Sequence, residues 1–257
     1  MSTFNRQSFD LTGKVALITG GASGLGQNYA IALSLYGADI FVVSRQQTGW
    51  ETTRQKVEAN GRQIAFLQQD ITEEGCAPRI IQQVIDHFGH LDILVNNAGM
   101  QRRDDVLAFK DADWQRVIDV NLNALYYLSH AAAQVMVPQG HGKIINIGSM
   151  QSYRAGKYIF PYTASKHAVL GLTKAYADAL APYHIQVNGL APGYIKTDMT
   201  VALQQDPVRG PEIKAHIPSG DWGVPDELMG PMVFLASAAS DYVTGVMLPV
   251  DGGYLLR

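Results

Sequence analysis

The chain has 257 residues, 47% of them hydrophobic and 17% charged, enough to bury a substantial core without disulfide staples. A net charge of −3 argues against a dedicated nucleic-acid binder, which carries a basic excess. Cys76 is the only cysteine; this excludes an intrachain disulfide and a cysteine-based metal cluster, fits a reducing compartment, and leaves no metal site to expect.

The N-terminal segment MSTFNRQSFDLTGK lacks the apolar run of a secretion signal. No apolar run elsewhere reaches about 18 positions. A cytoplasmic protein with no membrane or nucleic-acid partner is expected. In chain order, apolar runs at 14–19, 39–44, 64–69, 91–95, 143–148, 185–190 and 246–250 alternate with helical stretches near 24–37, 50–60, 73–88, 112–137, 161–181 and 225–237. That alternation predicts βαβ units and a parallel sheet. Strands that are apolar throughout predict helices on both faces. No repeat or linker divides the chain. The expectation is one α/β domain over 1–257, doubly wound and Rossmann-type, with seven parallel strands. The irregular stretch at about 194–224, with Pro207, Pro211 and Pro218, reads as a functional excursion outside the sheet.

The first strand runs into Thr19-Gly20-Gly21-Ala22-Ser23-Gly24-Leu25-Gly26 and then a helix. A Gly-rich turn in this context offers backbone N–H groups and a helix N-terminus to a pyrophosphate. A carboxylate that grips the ribose of NAD is expected about 20 residues on, yet the second strand ends in Val43-Ser44-Arg45. Ser44 and Arg45 suit a 2′-phosphate instead, because a guanidinium supplies charge and fork geometry. The cofactor reading is therefore NAD(P), tilted toward NADP(H). Asp70, at the end of the third strand, accepts from an adenine amino group or caps the following helix. The sequence leaves both open.

Tyr162 and Lys166 lie four apart, hence on one helix face. A free phenol has a pKa of about 10, and a nearby cation is expected to lower it. Tyr162 would then exchange a proton with a substrate alcohol or alkoxide. Ser149 closes the fifth strand, where the ligand crevice of a parallel sheet opens, and is placed to hold the substrate oxygen. Asn96-Asn97-Ala98-Gly99 ends the fourth strand at the same crevice. Asn121 is an amide among apolar neighbours. It either stabilises a kink and anchors a water in a relay to Lys166, or is a satisfied buried amide. Arg102 and Arg103 follow the fourth strand and suit a bidentate clamp on a carboxylate; intersubunit or surface ion pairs are the alternative. Gln151 and Tyr153 are candidates for polyol hydroxyls.

Thr19–Gly26, Asn96–Gly99, Asn121, Ser149, the Tyr162–Lys166 pair, Pro192-Gly193 with Thr197, and Asp251-Gly252-Gly253 together resemble the short-chain dehydrogenase/reductase family, in order and over essentially the whole chain. The resemblance implies catalytic roles for Asn121, Ser149, Tyr162 and Lys166. It implies cofactor contacts from Gly20, Ser23, Gly24, Leu25, Gly26, Ser44, Arg45, Asp70, Ile71, Asn97, Ala98, Gly99, Tyr162, Lys166, Pro192, Gly193, Ile195 and Thr197, with Lys166 on the nicotinamide ribose. It further implies a homotetramer built through the helices near 112–137 and 161–181. Within the family the chain is most similar to the sugar-acid dehydrogenases of gluconate and deoxygluconate type, through 99–103, 191–199, 220–223, 240–243 and 251–257. Ser44-Arg45 departs from the NAD preference of the deoxygluconate branch. A thioester reductase of the same family is the rival, weakened because 112–137 is poor in the basic residues an acidic carrier needs. A regulatory protein that binds cofactor without turnover is the non-enzyme alternative.

Overall fold

A computed structural model describes residues 5–257, apart from the side chain of Met199. The first four residues of the N-terminal segment lie outside the described residues. Seven strands, β1 (Val15–Thr19), β2 (Asp39–Ser44), β3 (Ile64–Gln68), β4 (Ile93–Asn96), β5 (Gly142–Ile147), β6 (Ile185–Pro192) and β7 (Met247–Val250), form one sheet in the order β3-β2-β1-β4-β5-β6-β7. Every pairing is parallel. The helices are α1 (Gly24–Leu35), α2 (Trp50–Ala59), α3 (Cys76–Phe88), α4 (Asp111–Ile118), α5 (Ala124–Gln139), α6 (Phe160–Leu180), α7 (Val201–Gln204), α8 (Arg209–His216) and α9 (Met229–Ala236).

Period-two alternation sends successive strand side chains to opposite faces. Ala16 and Ile18 of β1 pack with Tyr29 and Leu33 of α1 and Met232 of α9. Val15 and Leu17 pack on the other face with Ile80 and Val84 of α3, Leu128 and Met136 of α5, and Ala177 of α6. Both faces are covered, which is why the strands are predominantly apolar; the buried Lys143, Asn146 and Asn188 of β5 and β6 are exceptions, each hydrogen-bonded. The strand order reverses between β1 and β4, and the carboxyl ends of the strands flank a crevice at that switch point. Among the described residues no helix is long and apolar enough to cross a membrane.

Three boundaries differ from the expected ones. The stretch expected as one helix over 112–137 is broken by a π turn at Asp119–Asn123 between α4 and α5. The helix expected from 73 starts at Cys76, after Gly75 in the left-handed conformation (φ 66°). The 225–237 stretch is a 3₁₀ turn, Pro225–Leu228, followed by α9. The 194–224 excursion contains α7 and α8. It is anchored by Ile213, Ile217 and Trp222, which pack with Met150 and Tyr254.

Candidate active site

The Gly-rich turn forms an open cradle. Gly20 has φ 68°, and a Cβ there would stand 3.0 Å from Asn97 Nδ2. A Cβ on Gly26 would press on the Gly20 carbonyl and come within 2.5 Å of the same amide. Gly24, at φ 56°, instead faces space with nothing within 4 Å of the position a Cβ would take. Ser23 makes no side-chain cap to α1, so the first-turn N–H groups beside Gly24 and Leu25 remain for an anion. The Asn97 side chain braces the cradle, donating to the Thr19 carbonyl at 2.9 Å. Thr19 Oγ1 accepts from the N–H groups of Asn97 and Ala98, both at 3.0 Å. These features fit a dinucleotide pyrophosphate.

At the end of β2, Ser44 Oγ accepts from Ala22 N at 3.4 Å, and Arg45 is exposed. Asp70 accepts from Thr72 N (3.0 Å) and Thr72 Oγ1 (2.7 Å) and pairs with Arg116 at 3.3 Å. Burial would raise its carboxyl, but the Thr72 bonds and the charges of Arg116 and Arg45 hold it below the usual value. The helix-cap reading of Asp70 is thereby corrected: its oxygens close a local turn, and α3 begins six residues later. Ile71 is half-buried against the α3 face.

Ser149, 7% exposed, follows β5 and caps a short 3₁₀ turn, accepting from Gln151 N at 3.2 Å. Pro161 sets the first turn of α6, where its fixed φ is tolerated, and Tyr162 follows. The Ser149 side chain lies near enough to the Tyr162 hydroxyl to pull its pKa down. One turn on, Lys166 is 4% exposed. Its Nζ donates to the Ile147 carbonyl at 2.5 Å and lies 5.5 Å from the centre of the Tyr162 ring. Burial pulls the ammonium down to about 8. Burial pushes the Tyr162 phenol up, against a lowering pull from Ser149. The expected lowering of the phenol by Lys166 is thus not realised in this state. The ammonium is turned to the strand carbonyl, and burial dominates at the phenol.

Asn121 lies in the π turn and is 1% exposed. Its Oδ1 accepts from Met100 N (2.8 Å); its Nδ2 donates to the Met100 carbonyl (2.9 Å) and to Ser165 Oγ (3.2 Å). The side-chain amide is therefore satisfied by protein and ties the segment after β4 to α6. A Cβ on Gly99 would stand 3.5 Å from Asn121 Oδ1 and 3.9 Å from Lys166 Nζ, so these three residues adjoin. At the end of β6, Pro192 leads to Gly193, where a Cβ would lie 2.6 Å from Asp251 Cα. Ile195 is buried and bridged to Gly223. Thr197 N donates to Thr200 Oγ1 at 3.0 Å.

The candidate substrate residues are dispersed more widely. Gln151 is buried, and its Oε1 has no partner among the described residues. Arg102 turns to α4, with Nε 3.3 Å from Asp113 Oδ1. Arg103 has Tyr194 and Arg209 as electrostatic neighbours; burial and then Arg209 disfavour its charge. Tyr153 is not brought to the group around Ser149. Its hydroxyl donates to the Met247 carbonyl at 2.5 Å, on the β7 side. Sequence reasoning did not single out Tyr194 and Arg209, whose charges bear on Arg103. The one available signal was the four-residue spacing of Arg209 and Ile213.

The family model for short chain dehydrogenases matches residues 14–208. An uncharacterized oxidoreductase of Escherichia coli strain K12, YgcW, is 49% identical over 257 residues, 100% of this chain and 98% of its own length. The 2-dehydro-3-deoxy-D-gluconate 5-dehydrogenase of the same strain is 45% identical over 251 residues, 97% of this chain and 98% of its own length. The crystal structure of gluconate 5-dehydrogenase from Burkholderia cenocepacia J2315, in complex with NADP and tartrate, superposes with a TM-score of 0.93 at 41% identity, covering 98% of each chain. With a match that spans most of the sequence and relatives of this identity over nearly their whole length, the chain belongs to the short-chain dehydrogenase family and is an NAD(P)-dependent oxidoreductase.

Proposed function

We propose that this oxidoreductase interconverts a secondary alcohol and a ketone of a sugar acid of gluconate or deoxygluconate class, with NADP(H) preferred over NAD(H). The observation that carries the chemistry is the Ser149 side chain set beside the Tyr162 hydroxyl, one helical turn from a buried ammonium. When bound, the nicotinamide dinucleotide supplies the hydride acceptor in oxidation and the donor in reduction. Gly20 and Ser23–Gly26 hold its pyrophosphate, Ser44 and Arg45 its 2′-phosphate, and Asp70 and Ile71 its adenine. Asn97–Gly99, Lys166, Pro192, Gly193, Ile195 and Thr197 hold its nicotinamide half. Ser149 Oγ donates to the substrate oxygen and fixes it beside Tyr162. The Tyr162 hydroxyl takes the alcohol proton in oxidation and returns it in reduction. Asn121 positions Lys166 by fixing the Met100 segment against α6.

The sugar-acid reading is supported by the names of the relatives and by the exposed guanidinium of Arg103 just after β4. Turnover of gluconates, ketogluconates and an acetoacetyl thioester, each with NAD and NADP, tests it. The highest kcat/KM is expected for a sugar acid with NADP(H). A preference for the thioester overturns the substrate class, and cofactor binding without any turnover overturns the enzyme reading.

Arg45→Ala is expected to weaken NADP(H) binding about tenfold or more, because a charge-assisted bond to phosphate contributes roughly 1.5–3 kcal/mol. NAD(H), which lacks the phosphate, should change far less. Equal losses for both cofactors in titrations, or a wild-type preference for NAD, would remove the argument. The homotetramer reading follows from the family resemblance, and the exposed, adjoining Tyr126 and Tyr127 of α5 support it, because exposed apolar patches mark contact surfaces. A light-scattering mass of one chain counts against it.

A further inference from the structure

Ser44 ends β2 and α2 begins only at Trp50, which leaves a five-residue segment, 45–49, between them. It is held at both ends. At its start, Ser44 Oγ accepts from Ala22 N at 3.4 Å, and Gln68 of β3 donates from Nε2 to the Arg45 carbonyl at 3.2 Å. At its end stands Gly49, in the left-handed region at φ 83°. A Cβ there would press on the Ala22 carbonyl and stand 3.2 Å from Ser23 Cβ. The segment therefore comes down directly onto the turn that fits a pyrophosphate.

Two side chains clasp this junction. Gln27 of α1 donates from Nε2 to the Ala22 carbonyl (3.2 Å), the Gly49 carbonyl (3.1 Å) and Thr53 Oγ1 (2.8 Å). Thr53 of α2 is wholly buried. Its hydroxyl lies within donating distance of the carbonyls of Gly21 (3.3 Å), Ala22 (3.1 Å) and Gly49 (3.3 Å). The amide carries two protons and the hydroxyl one, and they are shared over carbonyls of both segments. A buried carbonyl left without a donor is costly, so the clasp keeps the turn and the 45–49 segment at one spacing. Trp50, stacked on Phe66 with ring centroids 4.7 Å apart, fixes the start of α2 to the edge strand β3.

We infer that Gln27 and Thr53 are positioning residues that set the preference for NADP(H) over NAD(H). This rests on the reading of Ser44 and Arg45 above as the 2′-phosphate site. Both act through the segment they hold; Thr53 has no exposed surface to offer a ligand. A phosphorylated dinucleotide must reach the Gly-rich turn with its pyrophosphate and Arg45 with its 2′-phosphate at once. The cofactor sets the span between those two groups, so the spacing of turn and segment has to match it in advance. NAD(H) makes only the first of these contacts and tolerates drift of the segment.

The test titrates NADPH and NADH into wild type, Thr53→Val, Thr53→Ser and Gln27→Leu. Valine keeps the shape of threonine and removes the hydroxyl; serine keeps the hydroxyl. In Thr53→Val and in Gln27→Leu the Kd for NADPH is expected to rise about tenfold, with that for NADH changing far less. Thr53→Ser should stay near wild type. In an Arg45→Ala background Thr53→Val should no longer shift the ratio of the two Kd values, because the contact it serves is gone. A role in stability alone would not produce that coupling. Gln27→Leu, on a half-buried position of α1, decides the question should Thr53→Val fail to fold. Parallel losses for both cofactors, a ratio unchanged in either variant, a ratio that still shifts without Arg45, or an equal loss in the Ser and Val variants overturns the inference and leaves the NADP(H) reading standing. A wild type that does not prefer NADPH overturns both.

Discussion

Tyr162→Phe should abolish nearly all turnover while the protein still folds and binds its cofactor. The substitution removes one oxygen from a half-buried ring and leaves the α6 backbone untouched. That oxygen stands beside the Ser149 side chain and is the group poised to exchange a proton with a substrate held by Ser149. General acid–base catalysis contributes roughly 10²–10⁴-fold, and loss of a donor to the developing alkoxide adds roughly 10²–10³-fold. A fall in kcat of at least about 10³-fold is therefore expected, with cofactor titrations near those of wild type. The pH profile of the wild type supplies a second check. Burial raises the phenol, so oxidation, which needs the proton removed, should accelerate through the alkaline range. Reduction, which needs it present, should decline over the same range. Near-normal turnover by the Phe variant would remove Tyr162 from the chemistry, whatever its neighbours do.

The sheet was legible because parallel strands covered on both faces are largely apolar, so Val15–Thr19 and Ile40–Val43 announce themselves. Ser149, Tyr162 and Lys166 were legible for a related reason: they sit at the end of one such strand and one turn apart on one helix. What escaped depends on directions that a one-dimensional pattern does not carry. The π turn at Asp119–Asn123 adds one residue to a helical period over five positions, too short a stretch to shift the apolar rhythm. Asp70 has the residue type of a helix cap, but Thr72 lay nearer and took its oxygens. Arg102 and Arg103 are adjacent in an irregular segment, and only the fold sends one to Asp113 and the other toward Tyr194 and Arg209. The opposing effects of charge and burial on Tyr162 could not be ranked without knowing that Lys166 is itself buried and facing the Ile147 carbonyl. Arg209 was hidden by prolines that break the helical pattern around an eight-residue helix.

Lys166→Met should lose activity and gain stability, a pairing that separates a functional lysine from a structural one. The ammonium is 4% exposed and has no carboxylate partner within 4.0 Å among the described residues. Among the described residues its hydrogen bond is to the neutral Ile147 carbonyl. Burial lowers it from 10.5 to about 8, which corresponds to about 3 kcal/mol of penalty on the folded state at neutral pH. Methionine fills a similar volume without a charge, but leaves the Ile147 carbonyl short of a donor, a loss of about 1 kcal/mol or more. The net gain should be on the order of 1–2 kcal/mol, a few degrees in melting temperature for a domain of this size. The sign can be followed with pH. Between about 8 and 10.5 the unfolded chain holds the Lys166 proton and the folded one has released it, so wild-type stability rises with pH across that window. The advantage of the Met variant should therefore be largest near pH 7 and shrink as the pH approaches 10. Activity should move the other way, with kcat/KM down at least about 10²-fold, because on the proposed mechanism the variant lacks the ammonium that holds the cofactor ribose beside Tyr162. Such an exchange of stability for function is common at active sites. Melting curves of the cofactor-free proteins from pH 7 to 10, beside turnover, measure both halves. A Met variant that melts lower at pH 7, with a gap that widens on the alkaline side, would show that the lysine is there to hold the fold; an active Met variant would show that it is not needed for the chemistry.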